Sequence, residues 1–345
     1  MLQDLESILT SNNFIYFFYY EEYSKMFKIN KHASNIILAI FVLFATTMFG
    51  SSTAIASGEK FVLISHAPDS DSWWNTIKNA IGIAGDQMDV SVDYRNPTTG
   101  DLADMARIVQ QAAASGPDGI IVTIADYDVL KGPITDAIAK GIPVVTINSG
   151  TRAQSEALGA LAHIGQPEYD AGFGAGKRAK AAGVTEFLCV NHFFTNPVSV
   201  DRCQGYADAL GVDLGHQMID SGQDPTEIKN KVMAHLRSHP STDAILTLGP
   251  TSAHPTLSAL DDLGRSGDIY FGTFDLSGEI AAAVKSGVIS FAIDQQPYLQ
   301  GYLPVVFLTN LSRYGVWPSG AINSGPGFIT KSNISLVEKY AGVYR

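Results

Sequence analysis

Cysteine and positive charge are both scarce in this chain. Two cysteines among 345 residues exclude a small scaffold held together mainly by disulfide bonds. Lysine and arginine together number 23 against 34 aspartates and glutamates, which gives a formal net charge of −11. Because a surface of that sign repels nucleic acids and anionic membranes, the sequence predicts neither of them as a partner.

Long apolar runs are also missing, and the run near the N-terminus is short. Residues 36–44 (IILAIFVLF) fall well below the roughly 20 apolar residues that cross a bilayer. The run follows Lys25, Lys28 and Lys31 and precedes the sequence Ala-Ile-Ala at 54–56. This order is typical of a secretory signal peptide. We therefore predict cleavage after the last of these alanines, Ala56, and a protein that works in a periplasm.

The segment ahead of this signal fits no targeting pattern, because residues 1–24 carry four acidic residues and no basic one. Met26 gives a conventional start, so we interpret 1–56 as an N-terminal extension followed by the signal peptide. Its removal takes away four acidic and three basic residues and leaves 30 against 20. No cysteine follows the cleavage site to accept a lipid, so the mature product is expected to be freely soluble.

From residue 61 onward, short apolar runs alternate with alanine-rich helical segments. The predicted strands are 61–65, 90–94, 119–124, 143–147, 185–190, 214–219, 243–248, 269–273 and 289–293. The predicted helices between them include 75–84, 101–115, 128–140, 168–182, 199–210, 226–238, 253–264 and 277–286. This alternation is typical of parallel, doubly wound α/β sheets that are covered on both faces. Since residues 57–345 exceed one comfortable core, we expect two such lobes.

Three breaks in the pattern predict crossings between the lobes. Residues 149–165 begin polar and aperiodic and end in a short strand-like bridge; 294–297 and 320–327 are the other two. These breaks predict an N-terminal lobe of residues 57–162 and 296–324. The C-terminal lobe then comprises residues 163–295 and 325–345.

Motifs of enzyme chemistry are weak or missing. The sequence GFGAGK at 172–177 lacks the spacing of a phosphate-binding loop and lies inside a helix, so its glycines indicate close helix packing. No Gly-x-Ser-x-Gly elbow occurs. The histidines show no metal-ligand spacing with cysteine or carboxylate, so we expect neither metal nor cofactor; they include His163, His192, His235, His239 and His254.

The first strand of the pattern leads into an unusual loop. Residues 61–65 are followed by a polar stretch that ends in Trp73 and Trp74, where a helix begins. Ligands of open α/β sheets bind at the carboxyl ends of the strands. Two indoles exposed there are costly unless something covers them, so this loop indicates a small-molecule site.

With strand order, crossings and loop residues in view, residues 57–345 resemble the periplasmic sugar-binding proteins of ABC importers, above all the ribose-binding type. The resemblance implies a type I periplasmic-binding-protein fold. In that fold, two doubly wound parallel-sheet lobes, joined by a three-strand hinge, close over a sugar. Aromatic faces stack on the sugar, while carboxylates, amides and an arginine pair with its hydroxyls.

The resemblance assigns site residues in the first lobe. Asp71, Trp73 and Trp74 match an element in which the family has stacking aromatics, and His66 matches a polar contact at the end of the first strand. Asn148 stands where the family usually has aspartate, and a serine follows it where an arginine is common. This departure speaks against ribose itself as the ligand.

The second lobe supplies the remaining matches. Arg202 matches the arginine region of the family, Thr251 lies in a Gly-Pro-Thr sequence that replaces Asn-Asp, Asp275 completes a Phe-Asp pair, and Gln295 matches the hinge glutamine. Further candidates for ligand contact are Asn96, His192, Asn196 and Asp224.

Each assignment has a purely structural alternative. The two tryptophans could belong to the lobe core, and Asp275 could cap the helix that begins near residue 277. Arg202 could pair only with Asp201 or Asp224, and Gln295 could serve only to hold the hinge. The sequence leaves these alternatives open.

The functional expectation is a monomeric receptor that captures a neutral sugar or polyol and delivers it to the permease of an ABC importer. A receptor for a furanosyl signal molecule, or one that presents its ligand to a chemoreceptor, would share the fold. A periplasmic hydrolase or isomerase would need an acid–base pair at the lobe interface, for which His66 with Asp71 is the candidate. We expect no enzyme.

The two cysteines, Cys189 and Cys203, are predicted on an apolar strand and on the next helix. Disulfides persist in exported proteins, and a loop at 191–200 could fold back to bring the two sulfurs together. The surrounding sequence also looks like one branch of the sugar-binding family. The alternative is two buried free thiols.

Overall fold

Two sheets organise the chain, one in each lobe. The computed structural model describes residues 58–319 and 322–345, so the predicted signal peptide and start lie outside the described residues. Within them, each sheet has six strands, and every neighbouring pair is parallel except one at an edge of the second sheet. The predicted class of two parallel α/β lobes is therefore confirmed.

The first lobe follows the predicted alternation closely. Its sheet has the order β11-β5-β4-β3-β1-β2. Its elements are β1 (Lys60–Ile64), α1 (Trp74–Met88), β2 (Ser91–Arg95), α2 (Leu102–Ala114), β3 (Gly119–Val122), α3 (Tyr127–Ala139), β4 (Val144–Ile147), α4 (Arg152–Leu158), β5 (Ala162–Gly165), α10 (Pro297–Tyr314) and β11 (Ile322–Asn323).

The second lobe repeats this plan with the sheet order β12-β10-β9-β8-β6-β7. Its elements are α5 (Glu168–Ala181), β6 (Phe187–Asn191), α6 (Pro197–Leu210), β7 (Met218–Asp220), α7 (Pro225–Ser238), β8 (Ala244–Thr247), α8 (Pro250–Asp262), β9 (Tyr270–Phe274), α9 (Gly278–Ser286), β10 (Phe291–Asp294) and β12 (Gly327–Ile329). Short 3-10 turns occupy Gly215–Gln217, Ile334–Leu336 and Glu338–Tyr340.

The central strands are buried on both faces, which explains their continuous apolar sequences. All residues of β3, β4, β6 and β8 are buried. Helices cover each sheet from both sides, so every lobe has two apolar clusters, one on each face of its sheet. This double burial leaves the ends of the strands as the places where polar side chains can converge.

The first crossing between lobes lies later in the chain than the sequence pattern indicated. Residues 149–160 include α4, whose start is fixed by a capping box between Thr151 and Gln154. A helix of seven residues is too short to show a periodicity, which is why the segment read as aperiodic. The strand after it, β5, pairs with β4 in the first sheet, so the change of sheet comes at Gln166 and Pro167.

The other two changes of sheet follow β10 and β11, at residues 295–296 and 324–326. Both fall in the segments predicted as crossings. The predicted residue limits of the lobes stay a prediction.

Close packing of α5 on α6 sets up part of the second lobe. Gly172 on α5 and Gly205 on α6 each leave no room for a β-carbon, because the backbone of the facing helix occupies that space. The glycines at 172–177 thus bring two helix backbones together, as predicted. Their contact also places the first turn of α5 beside the first turns of α6.

Among the residues that the structure describes, no helix is both long and apolar enough to cross a membrane.

Candidate ligand-binding cleft

A polar cleft lies where the carboxyl ends of strands from both sheets face each other. It encloses a cavity of about 110 Å³. All nine principal residues predicted from the sequence line this cavity: His66, Asp71, Trp73, Trp74, Asn148, Arg202, Thr251, Asp275 and Gln295. Among the further candidates, His192 and Asn196 line it as well.

The tryptophan pair forms one wall of the cavity. Trp74 begins α1, is only 2% exposed and belongs to the core of the first lobe. Trp73 packs edge-on against it, with ring centroids 5.2 Å apart. The Asp71 side chain fixes this turn, because its Oδ1 accepts a hydrogen bond from the Trp73 backbone N–H at 3.1 Å. The pair therefore serves the core and the cavity together.

His66 connects the two lobes through its ring. It stacks on Phe193 of the second lobe, with centroids 5.4 Å apart and planes 19° from parallel. Its Nδ1 is hydrogen bonded to Thr123 Oγ1 at 3.0 Å. Burial lowers the pKa of His66 to about 4, so the ring is neutral at physiological pH.

The amide N–H groups of Asn148 bind residues of the hinge rather than pointing freely into the cavity. Its Nδ2 donates both hydrogens, to Gln295 Oε1 and to Gln300 Oε1, each at 3.1 Å. Gln300 in turn donates to Ser324 Oγ at 2.9 Å. One amide network thus ties the first lobe to the second and third crossings.

Asp275 is the most perturbed acid of the cleft. It follows β9, is 6% exposed and accepts a hydrogen bond from Gln295 Nε2 at 2.6 Å. Burial raises its pKa to about 7, although Arg202 and the bond from Gln295 oppose the rise. It does not cap α9, since Ser277 supplies that cap itself.

Asn148 and Asp275 share a strained backbone conformation. Both follow strands and have positive φ angles, of 57° and 65°. Asn and Asp tolerate this left-handed region better than most residues, but it still costs free energy. The strain turns the chain at the end of each strand and holds both side chains at the cleft.

Arg202 on α6 lines the cavity and at the same time forms an ion pair. Its partner is neither Asp201 nor Asp224 but Glu168, at 2.7 Å and 2.8 Å through two parallel hydrogen bonds. The Arg202 Nη1 also donates to the Leu248 carbonyl at 3.1 Å. The guanidinium lies over the Phe274 ring, 4.3 Å from its centroid.

Two further polar residues of the second lobe line the cavity. Asn196 caps α6 with its side chain and donates from Nδ2 to Ser149 Oγ across the cleft at 3.0 Å. His192 is hydrogen bonded through Nδ1 to Ser252 Oγ at 3.1 Å. Burial lowers the pKa of His192 to about 4, and Arg202 adds to that shift.

Asn96 and Asp224 do not reach the cavity, so their assignment from the sequence is not supported. Asn96 donates to the Ala67 carbonyl and to Asp69 Oδ1 behind the first loop, each at 2.9 Å. The Asp224 carboxylate caps α7, accepting from the Glu227 backbone N–H at 2.8 Å. The polar atoms of both side chains are therefore used in hydrogen bonds to neighbouring loop and helix residues.

Several lining or supporting residues escaped the sequence analysis. Phe193 could have been found by the rule that found the tryptophans, since it is an aromatic residue just after a strand. Glu168 and Gln300 carried no such signal. An acid in the first turn of a helix and a glutamine inside one are both ordinary, and only the fold brings them to the site.

Cys189 and Cys203 form a disulfide, which confirms the bridged alternative. It joins β6 to α6 with the Cα atoms 5.9 Å apart. The bridge closes the loop that carries His192, Phe193 and Asn196, and it holds the start of α6 from which Arg202 projects.

Removing the bridge should destabilise the protein without removing its site. For a separation of 14 residues, chain entropy predicts a loss of about 3 kcal/mol in the free energy of unfolding. Urea unfolding of the Cys189→Ser/Cys203→Ser variant, with and without reductant, measures this loss. Only the wild type should respond to reductant. Thiol titration of the unreduced, denatured wild type should find no free thiol, and two thiols would contradict the bridge.

The sequence profile of the periplasmic binding protein domain matches residues 61–315. The match includes every residue that lines the cavity and leaves out only Lys60 of β1 and the edge strands β11 and β12 from the two sheets. This chain belongs to that family. Its two lobes, three crossings and central cleft are the fold expected from the resemblance.

Individual relatives agree with this membership. A carbohydrate transporter from Acidothermus cellulolyticus 11B, solved in complex with myo-inositol, shares 32% identity. It superposes with a TM-score of 0.77 and covers 83% of this chain and 98% of its own. The xylose/arabinose-binding protein XylF of Sulfolobus acidocaldarius is 27% identical over 274 residues, which is 74% of this chain and 68% of the relative. The ribose import binding protein RbsB of Bacillus subtilis is 27% identical over 215 residues, 62% of this chain and 68% of the relative.

Proposed function

We propose that this protein is an extracytoplasmic receptor that binds a neutral carbohydrate or cyclic polyol between its lobes and delivers it to an ABC importer. The observation that carries the proposal is the composition of the cleft. Two indoles stand at one wall, and carboxylate, amide and guanidinium groups from both lobes converge on one cavity. Apolar faces together with hydrogen-bonding groups suit a ligand that has C–H surfaces and many hydroxyls.

The named ligands of the relatives support this class without selecting one member. One relative was solved with myo-inositol, and two others are named for pentoses. The replacement of the usual aspartate by Asn148, whose N–H donors are taken by the hinge, favours a ligand other than ribose.

We favour binding over catalysis. The acid–base pair suggested by the sequence, His66 with Asp71, is not joined by a hydrogen bond; His66 Nδ1 faces Thr123 and Asp71 Oδ1 faces the Trp73 backbone. Neither group is oriented by the other, as a general acid and base acting together would be.

Delivery requires that the ligand favour one arrangement of the lobes. The contacts of His66 with Phe193 and of Ser149 with Asn196 join the lobes across the cleft. A ligand can shift an opening–closing equilibrium only by binding the closed form more tightly. We propose that a single copy of the protein closes over its ligand and that the closed form docks on the permease.

The test is a thermal-shift screen of residues 57–345 against pentoses, hexoses, alditols and inositols. At 100 times its dissociation constant, a ligand should stabilise the protein by about 2.7 kcal/mol. Small-angle X-ray scattering with that ligand should show a smaller radius of gyration than without it. No stabilisation by any member of the panel would contradict the proposal. A response to a furanosyl signal molecule alone would favour the signalling alternative.

The tryptophans provide a direct readout of occupancy. Trp317 is the third indole of the chain and does not line the cavity, so bound ligand should change fluorescence through Trp73 and Trp74. Trp73→Ala should weaken binding by at least about 1 kcal/mol. Trp317→Ala is the matched control and should leave affinity unchanged. Equal affinity of wild type and Trp73→Ala would remove this indole from the binding surface.

A further inference from the structure

A buried ion pair forms part of the wall behind the cavity. Glu168 is the first residue of α5, directly after the first crossing, and Arg202 lies on α6. Their side chains are only 4% and 8% exposed, and two hydrogen bonds of 2.7 Å and 2.8 Å join them. Gln166 Nε2 also donates to Glu168 Oε2 at 2.8 Å, which ties the carboxylate to the crossing.

The pair determines what Arg202 offers to a ligand. A guanidinium has five N–H donors. Glu168 takes two of them and the Leu248 carbonyl takes a third, so two remain, one on each terminal nitrogen. Because the Glu168 carboxylate balances the charge of the guanidinium, the pair as a whole presents these donors without a net charge.

The rest of the lining adds acid and no base. Among the described residues that line the cavity, Arg202 is the only lysine or arginine, whereas Asp71 and Asp275 are both present. The lining histidines, His66 and His192, are buried and neutral. An anionic group brought into this cavity would face the partly buried Asp71 and the buried Asp275, while the lining's arginine is already paired with Glu168, so its burial would be costly at low dielectric.

We propose that Glu168 is a specificity-determining residue, which acts through Arg202 to make the cleft accept neutral polyhydroxy ligands and reject those that carry a carboxylate or phosphate. The inference rests on the proposed function and adds a selection rule to it. Glu168 itself does not line the cavity, so its role is that of a positioning and neutralising residue.

The test compares neutral and acidic members of matched ligand pairs. The probes are D-galactose with D-galacturonate, D-glucose with D-glucuronate, and myo-inositol with myo-inositol 1-phosphate. Calorimetry at neutral pH and physiological salt gives the ratio of dissociation constants within each pair. The wild type should bind at least one neutral probe and bind its acidic partner at least 100-fold more weakly.

Glu168→Gln removes the charge while keeping the shape and one acceptor for Arg202. This variant should lower the ratio at least tenfold, mainly through tighter binding of the acidic probe. Asp170→Asn is the matched control, since it removes an exposed carboxylate from the same turn of α5 and should leave the ratio unchanged. A purely structural role of Glu168 would weaken both probes together and leave the ratio intact.

A double variant, Glu168→Gln/Arg202→Gln, keeps the test available if the single change prevents folding, because it removes both charges of the ion pair together. It should reject the acidic probes at least as strongly as the wild type does. Tighter binding of an acidic probe by this double variant would overturn the inference, as would an unchanged ratio in Glu168→Gln or a wild type that prefers an acidic probe. A wild type that binds no neutral sugar or polyol, either among these probes or in the thermal-shift panel, contradicts the proposed function itself, and the selection rule falls with it.

Discussion

Replacing Asp275 with alanine is expected to weaken ligand binding about 100-fold. Asp275 is 6% exposed and lines the cavity, and a buried ligand hydroxyl left without its partner costs about 1–3 kcal/mol. Asp275→Asn keeps an acceptor for Gln295 and should show a smaller loss, which separates the charge from the shape. Calorimetry on both variants measures the effect. Affinity within threefold of the wild type would exclude Asp275 from ligand recognition.

The same residue gives a second readout, in the pH dependence of stability. Because burial raises the pKa of Asp275 to about 7, the folded protein holds this proton more tightly than the unfolded chain. The resulting stabilisation is complete below the unfolded pKa of about 4 and is lost as the pH rises through 7. The free energy of unfolding of the wild type, relative to Asp275→Asn, should therefore decline between these values. A difference that does not vary with pH would show that the carboxyl is not perturbed.

Three buried histidines should act in the opposite direction over nearly the same pH range, so that they destabilise the protein as the pH falls. Burial lowers the pKa of His66, His163 and His192 to about 4 in each case. Their contribution is fully present above the unfolded pKa of about 6.5 and is lost as the pH falls through 4. Each histidine accounts for a loss on the order of 3 kcal/mol across this window.

His163 is the suitable position for the test, because it lies on β5 outside the ligand cavity. Its Nδ1 is hydrogen bonded to Thr146 Oγ1 at 2.9 Å, and glutamine keeps a polar side chain that does not titrate in this range. Urea unfolding at pH 6.5 and pH 4.5 should show a smaller acid loss for His163→Gln than for the wild type. His254→Gln, on a half-exposed side chain, is the control. Equal acid losses in His163→Gln and the wild type would contradict the assignment.

The alternation of apolar runs with helical segments was sufficient to predict the two parallel sheets. Strands such as β3 and β4 are buried on both faces, so each residue along them has to be apolar, and this leaves a continuous signal in the sequence. The segment after Asn148 was read wrongly because α4 is defined by its cap rather than by a repeat. Local capping contacts leave a far weaker pattern than a buried face.

The position of the cleft also followed from the sequence, because the carboxyl ends of parallel strands all lie at the same edge of their sheet. His66, Asp275 and Gln295 each stand directly after a strand, or within two residues of one, and each lines the cavity. Asn96 also stands directly after a strand, but its amide turns to the backbone of the neighbouring loop. Which way a side chain points from a strand end depends on partners that come from other segments.

What the sequence by itself determined is therefore the fold class, the disulfide candidates and the set of strand ends that make the cleft. Only the tertiary structure decided how charge is arranged there. The partner of Arg202 is Glu168, 34 positions away and on another helix, and the donors of Asn148 are taken by residues 147 and 152 positions away. Periodicity reports burial against a face and is local, whereas hydrogen bonds and ion pairs depend on the meeting of distant segments. The physical reason is that charge pairing is set by the packing of helices, which no single segment specifies.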